Sequence, residues 1–161
     1  MKQNPGNTSI SSFQVTPIGY VKRSDGHTAI ELLHPFKTGL KELEHFSHIQ
    51  VIWWFSHFDD ADSRSTTTFN QMPFEAPELG VFACRSPMRP NPLGLTTAKI
   101  LRVDHGEGSI VIADIDAYEG TPVLDLKAYL PSCDRVKEVK VADWAAHWPE
   151  WLPENGLGLD A

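Results

Sequence analysis

Short β-type runs separated by prolines and glycines dominate this chain of 161 residues, which contains 12 Pro and 11 Gly. Proline removes a backbone donor and glycine weakens regular structure, so their positions between the runs keep each element short. Only residues 40–46 and 139–147 show a helical period. The pattern predicts a mainly β fold, a barrel or a sandwich, with one or two short helices. The predicted strands span residues 13–21, 28–33, 48–55, 81–85, 96–103, 109–116 and 125–130.

The length and composition predict one compact domain, since 41% of the residues are hydrophobic and 10% are aromatic. Residues 1–12 are rich in Asn, Ser and Gly and predict a flexible segment, and residues 13–134 form the predicted barrel domain. Residues 135–161 form an extension in which Trp144, Trp148 and Trp151 recur at helical spacing, interrupted by Pro149. We expect this extension to pack on the barrel or on a dimer partner. A base-stacking platform for RNA is the alternative.

The charge balance limits the partners. Twenty-one Asp and Glu against 14 Lys and Arg give a formal net charge of −7 at pH 7. That balance disfavours a protein that coats nucleic acid or an anionic membrane, but it allows one local basic site. Two cysteines are too few for a disulfide framework, and the histidines lack carboxylate partners at metal-site spacing. The sequence therefore predicts no metal site. No signal peptide or membrane-spanning stretch is visible, so we expect a cytoplasmic protein.

Residues 81–103 (VFACRSPMRPNPLGLTTAKILRV) have a local charge of +4 and no acidic residue. Their three prolines exclude a regular helix or a central strand, so the sequence predicts a stiff loop that presents Arg85, Arg89 and Asn91. Arginine forms bidentate hydrogen bonds with carboxylate or phosphate, and donors that are already ordered lose little entropy on binding. The alternative is an ordinary proline-rich connection whose arginines pair with surface carboxylates.

The same segment resembles the signature of the TrmO family, also called TsaA-like, which reads approximately GVFAxRSPxRPNPxGL. Here the signature is GVFACRSPMRPNPLGL, at residues 80–95. Three further segments match the family in order: PIGY from position 17, LEHFSH from position 43 and GTPVLDLKAYLP from position 120. The four motifs together cover about residues 13–134.

The resemblance implies a single small β-barrel methyltransferase that uses S-adenosyl-L-methionine and acts as a homodimer. The family's characterised reaction is the N6-methylation of threonylcarbamoyladenosine beside the anticodon. The implied partner is therefore the anticodon arm of tRNA, contacted through the basic loop. Among the implied cofactor positions, Leu95 suits the adenine face, Arg85 suits a carboxylate, and Asp116 or Glu119 suits the ribose hydroxyls. Carried over to this sequence, these positions are His57, Phe58, Arg85, Leu95, Asp116, Ala117, Tyr118, Glu119 and Thr121.

A carbamoylated adenine nitrogen must lose a proton before or while it is methylated. Asp125, Lys127 and Tyr129 alternate along one predicted strand and therefore share a face. We expect these three to be the catalytic residues, with Asp125 accepting the proton and Lys127 stabilising developing charge. An ion pair on an exposed strand is the alternative. The candidates for substrate contacts are Arg89, Asn91 and Lys99.

Two departures from the family pattern leave the substrate open. Family members commonly have a longer loop with a PRQ motif after the first strand, where this chain passes directly from Arg23 to His27, and Ala128 replaces a usual proline. One alternative is a methyltransferase of the same fold that acts on a small molecule or another nucleoside. The other is a module that binds S-adenosylmethionine or tRNA without turnover. Separately, the alternative for His57 is a capped or core histidine. The presence of Asp125 and Lys127 favours an enzyme.

Overall fold

A closed barrel forms the centre of the molecule. The computed structural model describes residues 12–24 and 26–153. Six antiparallel strands close in the order β1-β2-β7-β6-β3-β8, and β4 pairs with β5 in a separate sheet. The predicted fold class, a single small β-barrel, is confirmed. The strands are β1 Gly19–Ser24, β2 His27–Leu32, β3 His48–Trp54, β4 Thr68–Phe69, β5 Leu79–Gly80, β6 Leu93–Asp104, β7 Ser109–Ile112 and β8 Pro122–Ala128.

Helical structure is limited to short pieces in the described part of the chain. The α-helices are α1 Ala61–Ser65 and α2 Pro131–Asp134. Asp60 caps α1, because its carboxylate accepts a hydrogen bond from the Ser63 backbone N at 2.9 Å. No helix among the described residues has the length and apolar character needed to cross a membrane. The 3₁₀ helices are His34–Leu40, Leu43–His45, Ser56–Phe58, Val81–Ala83 and Asp143–Ala145.

Strand β3 pairs with β6 along its whole length and with β8 from Ile49 to Trp53. Ile49, Val51 and Trp53 are buried, and the residues between them are partly exposed. This period of two is what a strand with one buried face requires. Burial of a branched or aromatic side chain contributes about 1.5–3 kcal/mol. The core also includes Val21, Ile30, Ile110, Ile112 and Val123.

Gly94 determines how closely β6 approaches the core. It pairs with Trp53 across the β3–β6 ladder, and a Cβ atom at position 94 would lie 2.3 Å from Cε2 of that indole. The indole Nε1 also donates a hydrogen bond to Oγ1 of Thr96 at 3.1 Å. The glycine of the PLGL sequence therefore leaves the space that the Trp53 ring occupies.

Four predicted strands differ from the structure. The strand predicted at residues 109–116 ends at Ile112, and the one predicted at residues 125–130 is Pro122–Ala128. The strand predicted at residues 81–85 is instead the 3₁₀ helix Val81–Ala83, and the carbonyl of Val81 accepts a hydrogen bond from the Arg89 side chain. The strand predicted at residues 13–21 begins only at Gly19 and runs on to Ser24. Ile18 still bonds to both neighbouring segments, since its N donates to the Val123 carbonyl and its carbonyl accepts from Leu33 N, but residues 13–17 form no described strand.

Both predicted helical stretches also differ. The stretch at residues 40–46 contains the end of one 3₁₀ helix and all of another, with Glu42 between them at a φ of 70°. Because Glu42 is in the left-handed conformation, the first 3₁₀ helix does not continue through it, and the chain changes direction before the second helix. The stretch at residues 139–147 forms only the 3₁₀ helix Asp143–Ala145.

The described part of the C-terminal extension contacts the loop between β4 and β5. Phe74 stacks on Trp144 with ring centroids 5.4 Å apart, and it meets the edge of Trp148 at 5.1 Å. Gln50 Nε2 donates to Asp134 Oδ1 at 3.1 Å, which joins α2 to β3. The predicted division at residues 12 and 134 stays a prediction. Residues 1–11 and 154–161, which belong to the predicted flexible segment and the end of the extension, lie outside the described residues.

Candidate active site

Arg89 closes the basic loop on itself. Its Nη2 donates to the carbonyls of Val81 and Cys84, both at 2.9 Å. Its Nε is buried and has no hydrogen-bond partner among the described groups. The loop is therefore held by a side chain as well as by its prolines. The substrate contact expected of Arg89 stays a prediction, and the structure adds an internal role that the sequence did not indicate.

The loop brings two predicted cofactor positions together. Arg85 Nη1 donates to the Leu95 carbonyl at 3.3 Å, and the Leu95 side chain is 45% exposed. The loop is also joined to the end of β3, because Phe55 N donates to the Pro92 carbonyl at 2.8 Å. Asn91 lies exposed in the same loop. A guanidinium beside an exposed apolar side chain suits a ligand with an anionic group and a flat apolar ring.

The end of β3 meets the turn that precedes β8. The rings of His57 and Tyr118, which are distant in sequence, contact edge to face with centroids 5.0 Å apart. Tyr118 remains 64% exposed, so a broad aromatic surface faces solvent here. Phe58 packs edge to face on Phe55 at 6.5 Å, which ties the same segment to the barrel. Two of the predicted cofactor segments therefore lie side by side.

Within that turn, side chains of two kinds alternate. Ala117 and Thr121 are buried, and their carbonyls accept hydrogen bonds from Arg23 and Val21, so they anchor the turn. Asp116 and Glu119 are exposed. Gly120 has a φ of 77°, a left-handed conformation that favours glycine and that lets the chain turn into β8. The turn thus presents carboxylates and one aromatic ring from a backbone anchored in the core.

The predicted catalytic residues lie on the outer face of β8, β3 and β6. Neighbouring strands are about 4.8 Å apart, so residues two strands apart in one row are about 10 Å apart. The rows contain predicted cofactor, substrate and catalytic residues on one continuous surface. Across the three strands, these rows are Leu95–Ile52–Asp125, Thr97–Gln50–Lys127 and Lys99–His48–Tyr129.

Asp125 and Lys127 form an ion pair on this face. Asp125 Oδ2 and Lys127 Nζ are 2.7 Å apart, and the two side chains are 47% and 59% exposed, respectively. The hydrogen bond from Lys127 to Asp125 and the attraction between their charges raise the pKa of Lys127 above its usual value. The ion pair that the sequence left as an alternative is therefore present. The catalytic roles of Asp125, Lys127 and Tyr129 stay predictions.

A groove of about 400 Å³ adjoins Asp125. It lies between the second half of β8 and the segment of residues 36–46, which contains 3₁₀-helical turns. The groove is lined mainly by apolar side chains, and Asp125, the carboxylate expected to accept a proton, is one of its lining residues. Its lining includes Ile18, Leu32, Phe36, Leu43, Phe46 and Leu126.

Two basic residues that sequence reasoning missed border the turn before β8. Lys22 Nζ lies 3.5 Å from Glu119 Oε1, and the Arg23 side chain donates to backbone carbonyls of the turn. A pair of basic residues at a strand end is common on protein surfaces, and no spacing or motif distinguishes this one. In the described residues, no three His, Cys, Asp or Glu side chains come together as metal ligands would.

The fold and the site define a class of protein. It is a small closed antiparallel barrel whose polar groups converge at the strand ends and on the outer face of three strands. Such barrels commonly bind ligands through loops at their ends, without the glycine-rich phosphate cradles of nucleotide-binding α/β folds.

Comparison with known families identifies the particular group. Residues 7–135 match the family described as the tRNA-methyltransferase O N-terminal domain. The chain belongs to this family, TrmO, and the resemblance indicated by its four motifs is confirmed.

Similar proteins occur in archaea and bacteria. The chain is 35% identical over 140 residues to a probable S-adenosyl-L-methionine-binding protein of Pyrococcus abyssi, covering 86% of this chain and 67% of the relative. It is 30% identical to the tRNA (adenine(37)-N6)-methyltransferase of Escherichia coli, covering 77% and 53%. The crystal structure of TrmO from Pseudomonas aeruginosa superposes with a TM-score of 0.67 at 26% identity, over 89% of this chain and 66% of that one. The chain thus spans slightly less than two thirds of the solved TrmO chain.

Proposed function

We propose that this protein is an S-adenosylmethionine-dependent tRNA methyltransferase that methylates N6 of threonylcarbamoyladenosine next to the anticodon. The observation that carries the proposal is the proximity of three separate segments that the family resemblance implies for donor binding. Arg85 contacts Leu95 and His57 contacts Tyr118, and the hydrogen bond from Phe55 N to the Pro92 carbonyl joins the loop to the segment that precedes His57. Family membership and the names of the relatives support the reaction class.

The residues of this region fit the chemistry of the methyl donor. Arg85 would hold the carboxylate of its amino-acid part, and the exposed side chains of Leu95 and Tyr118 would contact the adenine. Asp116 is exposed on the neighbouring turn and would accept hydrogen bonds from the ribose hydroxyls. When bound, S-adenosylmethionine supplies an electrophilic methyl group. The protein's own contribution is then mostly positioning, since the transfer requires the acceptor nitrogen to approach in line.

The outer face next to this region suits the acceptor. Asp125 accepts the proton that the N6 nitrogen loses. Lys127 is positively charged and stabilises the negative charge that develops on the adenine base of the substrate. The apolar groove beside Asp125 offers a surface for an unstacked base. Lys99, two rows from Leu95 on the same face, is positioned to contact a phosphate of the anticodon arm, and Asn91 would contact the tRNA from the loop that Arg89 holds in shape.

The active form is a homodimer in the cytoplasm. Phe82 and Leu93, which are exposed on either side of the basic loop, would lie in the dimer interface. Cys84 and Cys133 are free thiols, as expected where the environment is reducing. Light scattering at the concentration used for activity measurements tests the dimer, and a monomeric mass would contradict it.

The decisive experiment supplies purified protein with S-adenosylmethionine and tRNA that contains threonylcarbamoyladenosine. Mass spectrometry of the digested nucleosides should show threonylcarbamoyladenosine gaining the mass of one methyl group. Calorimetry is run in parallel, and absence of S-adenosylmethionine binding would refute the proposal. Donor binding with no methylated nucleoside, but with methylation of a small molecule or another nucleoside, would favour the alternative methyltransferase. Binding of both partners without turnover would favour a non-catalytic module.

A further inference from the structure

We infer that Arg23 is the positioning residue of the turn at residues 115–121, which we call the donor turn. The inference rests on the proposed function, in which this turn holds the nucleoside part of the methyl donor. Arg23 is the last residue but one of β1, and it reaches the turn across a sequence separation of 92 and 94 residues. It belongs to none of the motifs that led to the family, so its role emerges only from the fold.

The guanidinium of Arg23 fastens the first half of the donor turn. Its Nη2 donates to the carbonyls of Ile115 at 2.7 Å and Ala117 at 3.0 Å, and its Nε donates to Ala117 at 3.3 Å. Its Nη1 donates to Thr28 Oγ1 at 3.2 Å, and Thr28 is a buried residue of β2. The guanidinium therefore bridges the turn and the barrel wall.

The backbone of the same strand fastens the second half. Arg23 N donates to the Glu119 carboxylate, and Lys22 Nζ lies 3.5 Å from the other oxygen of that carboxylate. Gly120 N donates to the Val21 carbonyl at 2.8 Å, and Val21 N donates to the Thr121 carbonyl at 2.9 Å. Residues on both sides of Tyr118 are thus tied to β1.

The two carboxylates of the donor turn therefore have different roles. Glu119 is engaged by Arg23 and Lys22, so it acts mainly as an anchor, and Asp116 is the exposed carboxylate of the turn that forms no ion pair with a described residue. Tyr118 extends between two tethered neighbours and meets His57. A turn ordered before binding loses less conformational entropy when the donor arrives, which raises affinity without any contact between Arg23 and the donor.

Arginine is required at position 23 because its planar guanidinium holds several hydrogen-bond donors at fixed angles. A lysine has one compact head group and cannot serve two carbonyls and a hydroxyl on opposite sides. Arg23→Lys therefore keeps the positive charge and removes the planar arrangement of hydrogen-bond donors. Arg102→Lys is the matched control, since Arg102 lies on β6 and pairs with Asp104 at 3.5 Å, away from the turn.

Calorimetry should show S-adenosylmethionine binding to Arg23→Lys about tenfold more weakly than to the unaltered protein, the effect of losing one hydrogen bond to a charged group. Binding of 5′-methylthioadenosine, which retains the nucleoside and lacks the carboxylate, should weaken by a similar factor. In turnover, KM for S-adenosylmethionine should rise while kcat at saturation stays within about twofold. Arg102→Lys should change none of these values. Unchanged donor affinity in a folded Arg23→Lys protein would overturn the inference.

Amide hydrogen exchange separates this inference from the proposed function, because it needs no ligand. In Arg23→Lys the amides of Gly120 and Thr121 should exchange about tenfold faster, while those of β7 stay unchanged. If the unaltered protein binds no S-adenosylmethionine but the turn loosens in this way, the proposed function fails and the bracing role stands. Should Arg23→Lys not fold, Thr28→Val, which removes only the hydroxyl partner of Nη1, replaces it. Unchanged turn exchange in Thr28→Val would then count against the inference.

Discussion

At the scale of single residues, Gly94 shows how one missing side chain sets the barrel geometry. The indole of Trp53 occupies the space above it, so Gly94→Ala must displace either the ring or strand β6. We expect a loss of about 1–3 kcal/mol in the free energy of unfolding, the usual cost of overpacking a core. Urea unfolding measures the loss. Gly39→Ala is the control, because a Cβ there meets no atom within 4 Å, and an equal loss in both variants would contradict the explanation.

Asp125 is the residue on which the proposed chemistry depends most directly. Asp125→Asn keeps the shape of the side chain and removes the proton acceptor, so turnover should fall about 10²–10⁴-fold. The lost ion pair is exposed at both ends, so stability should change by no more than about 1 kcal/mol. S-adenosylmethionine affinity, measured by calorimetry, should stay unchanged. A folded, donor-binding Asp125→Asn protein with near-normal turnover would exclude Asp125 as the base.

At the scale of elements, the loop of residues 84–92 contains two arginines with different tasks. Arg89 holds the loop from within, whereas Arg85 is exposed and contacts only the Leu95 carbonyl among the described groups. Arg89→Lys should therefore destabilise the protein by about 1–3 kcal/mol, since it leaves a buried carbonyl unsatisfied. Arg85→Lys should leave stability almost unchanged and weaken S-adenosylmethionine binding. Thermal unfolding and calorimetry on both variants check this contrast, and the reverse pattern would assign the donor contact to Arg89.

The elements that the sequence predicts well are those whose pattern is local. Strand β3 spans His48–Trp54, almost the predicted 48–55, because its alternation of buried and partly exposed side chains is read directly from neighbouring residues. The pair β4 and β5 has two residues in each strand, too few for any period. The run at residues 81–85 has strand propensity. It nevertheless forms a 3₁₀ helix, whose Val81 carbonyl accepts a hydrogen bond from the side chain of Arg89.

The residues of the candidate site also differ in whether the sequence alone can identify them. The motifs indicate Arg85, Leu95 and the donor turn, and the fold brings them together at the strand ends. Arg23 could not be found from the sequence, because its acceptors are backbone carbonyls 92 and 94 residues away. Backbone carbonyls have no sequence signature, so a residue that acts on them becomes recognisable only once the chain is folded.

At the scale of the whole molecule, stability should fall at acid pH. The hydrogen bond from Arg64 lowers the pKa of Asp59, and the hydrogen bond from the Glu107 amide lowers the pKa of Asp104. A carboxyl whose pKa is lower in the folded state stabilises the protein above its unfolded pKa of about 3.9 and loses that effect as pH falls through the folded value. The free energy of unfolding should therefore decrease below about pH 4.

Urea unfolding as a function of pH measures this dependence. Asp59→Asn should be less stable than the unaltered protein at pH 7, and it should lose less stability on acidification, because one of the linked groups is gone. Asp62→Asn, in the neighbouring helix α1, is the matched control. An equally steep acid dependence in Asp59→Asn would mean that other groups dominate.

The net charge of −7 bears on how the whole molecule meets tRNA. Of the four basic residues in the segment 81–103, Arg89 is directed into the loop and Arg102 pairs with Asp104, while Arg85 and Lys99 form no ion pair with a described residue. Few phosphate contacts are then available to each chain. Because each contact contributes about −0.7 to −0.9 to the slope of log K against log salt, two such contacts give an expected slope of about −1.4 to −1.8 per chain.

Filter binding of tRNA across a salt series measures that slope. Lys99→Ala should make it shallower by about 1, because one released counterion is lost. Lys140→Ala, which removes an exposed lysine outside both the basic segment and the groove, should leave the slope unchanged. A slope of about −6 or steeper per chain would mean that the protein coats RNA through a broad surface. The acidic balance of the chain argues against that outcome, because the remaining surface repels phosphate and confines tRNA to the basic loop and the outer face of β6.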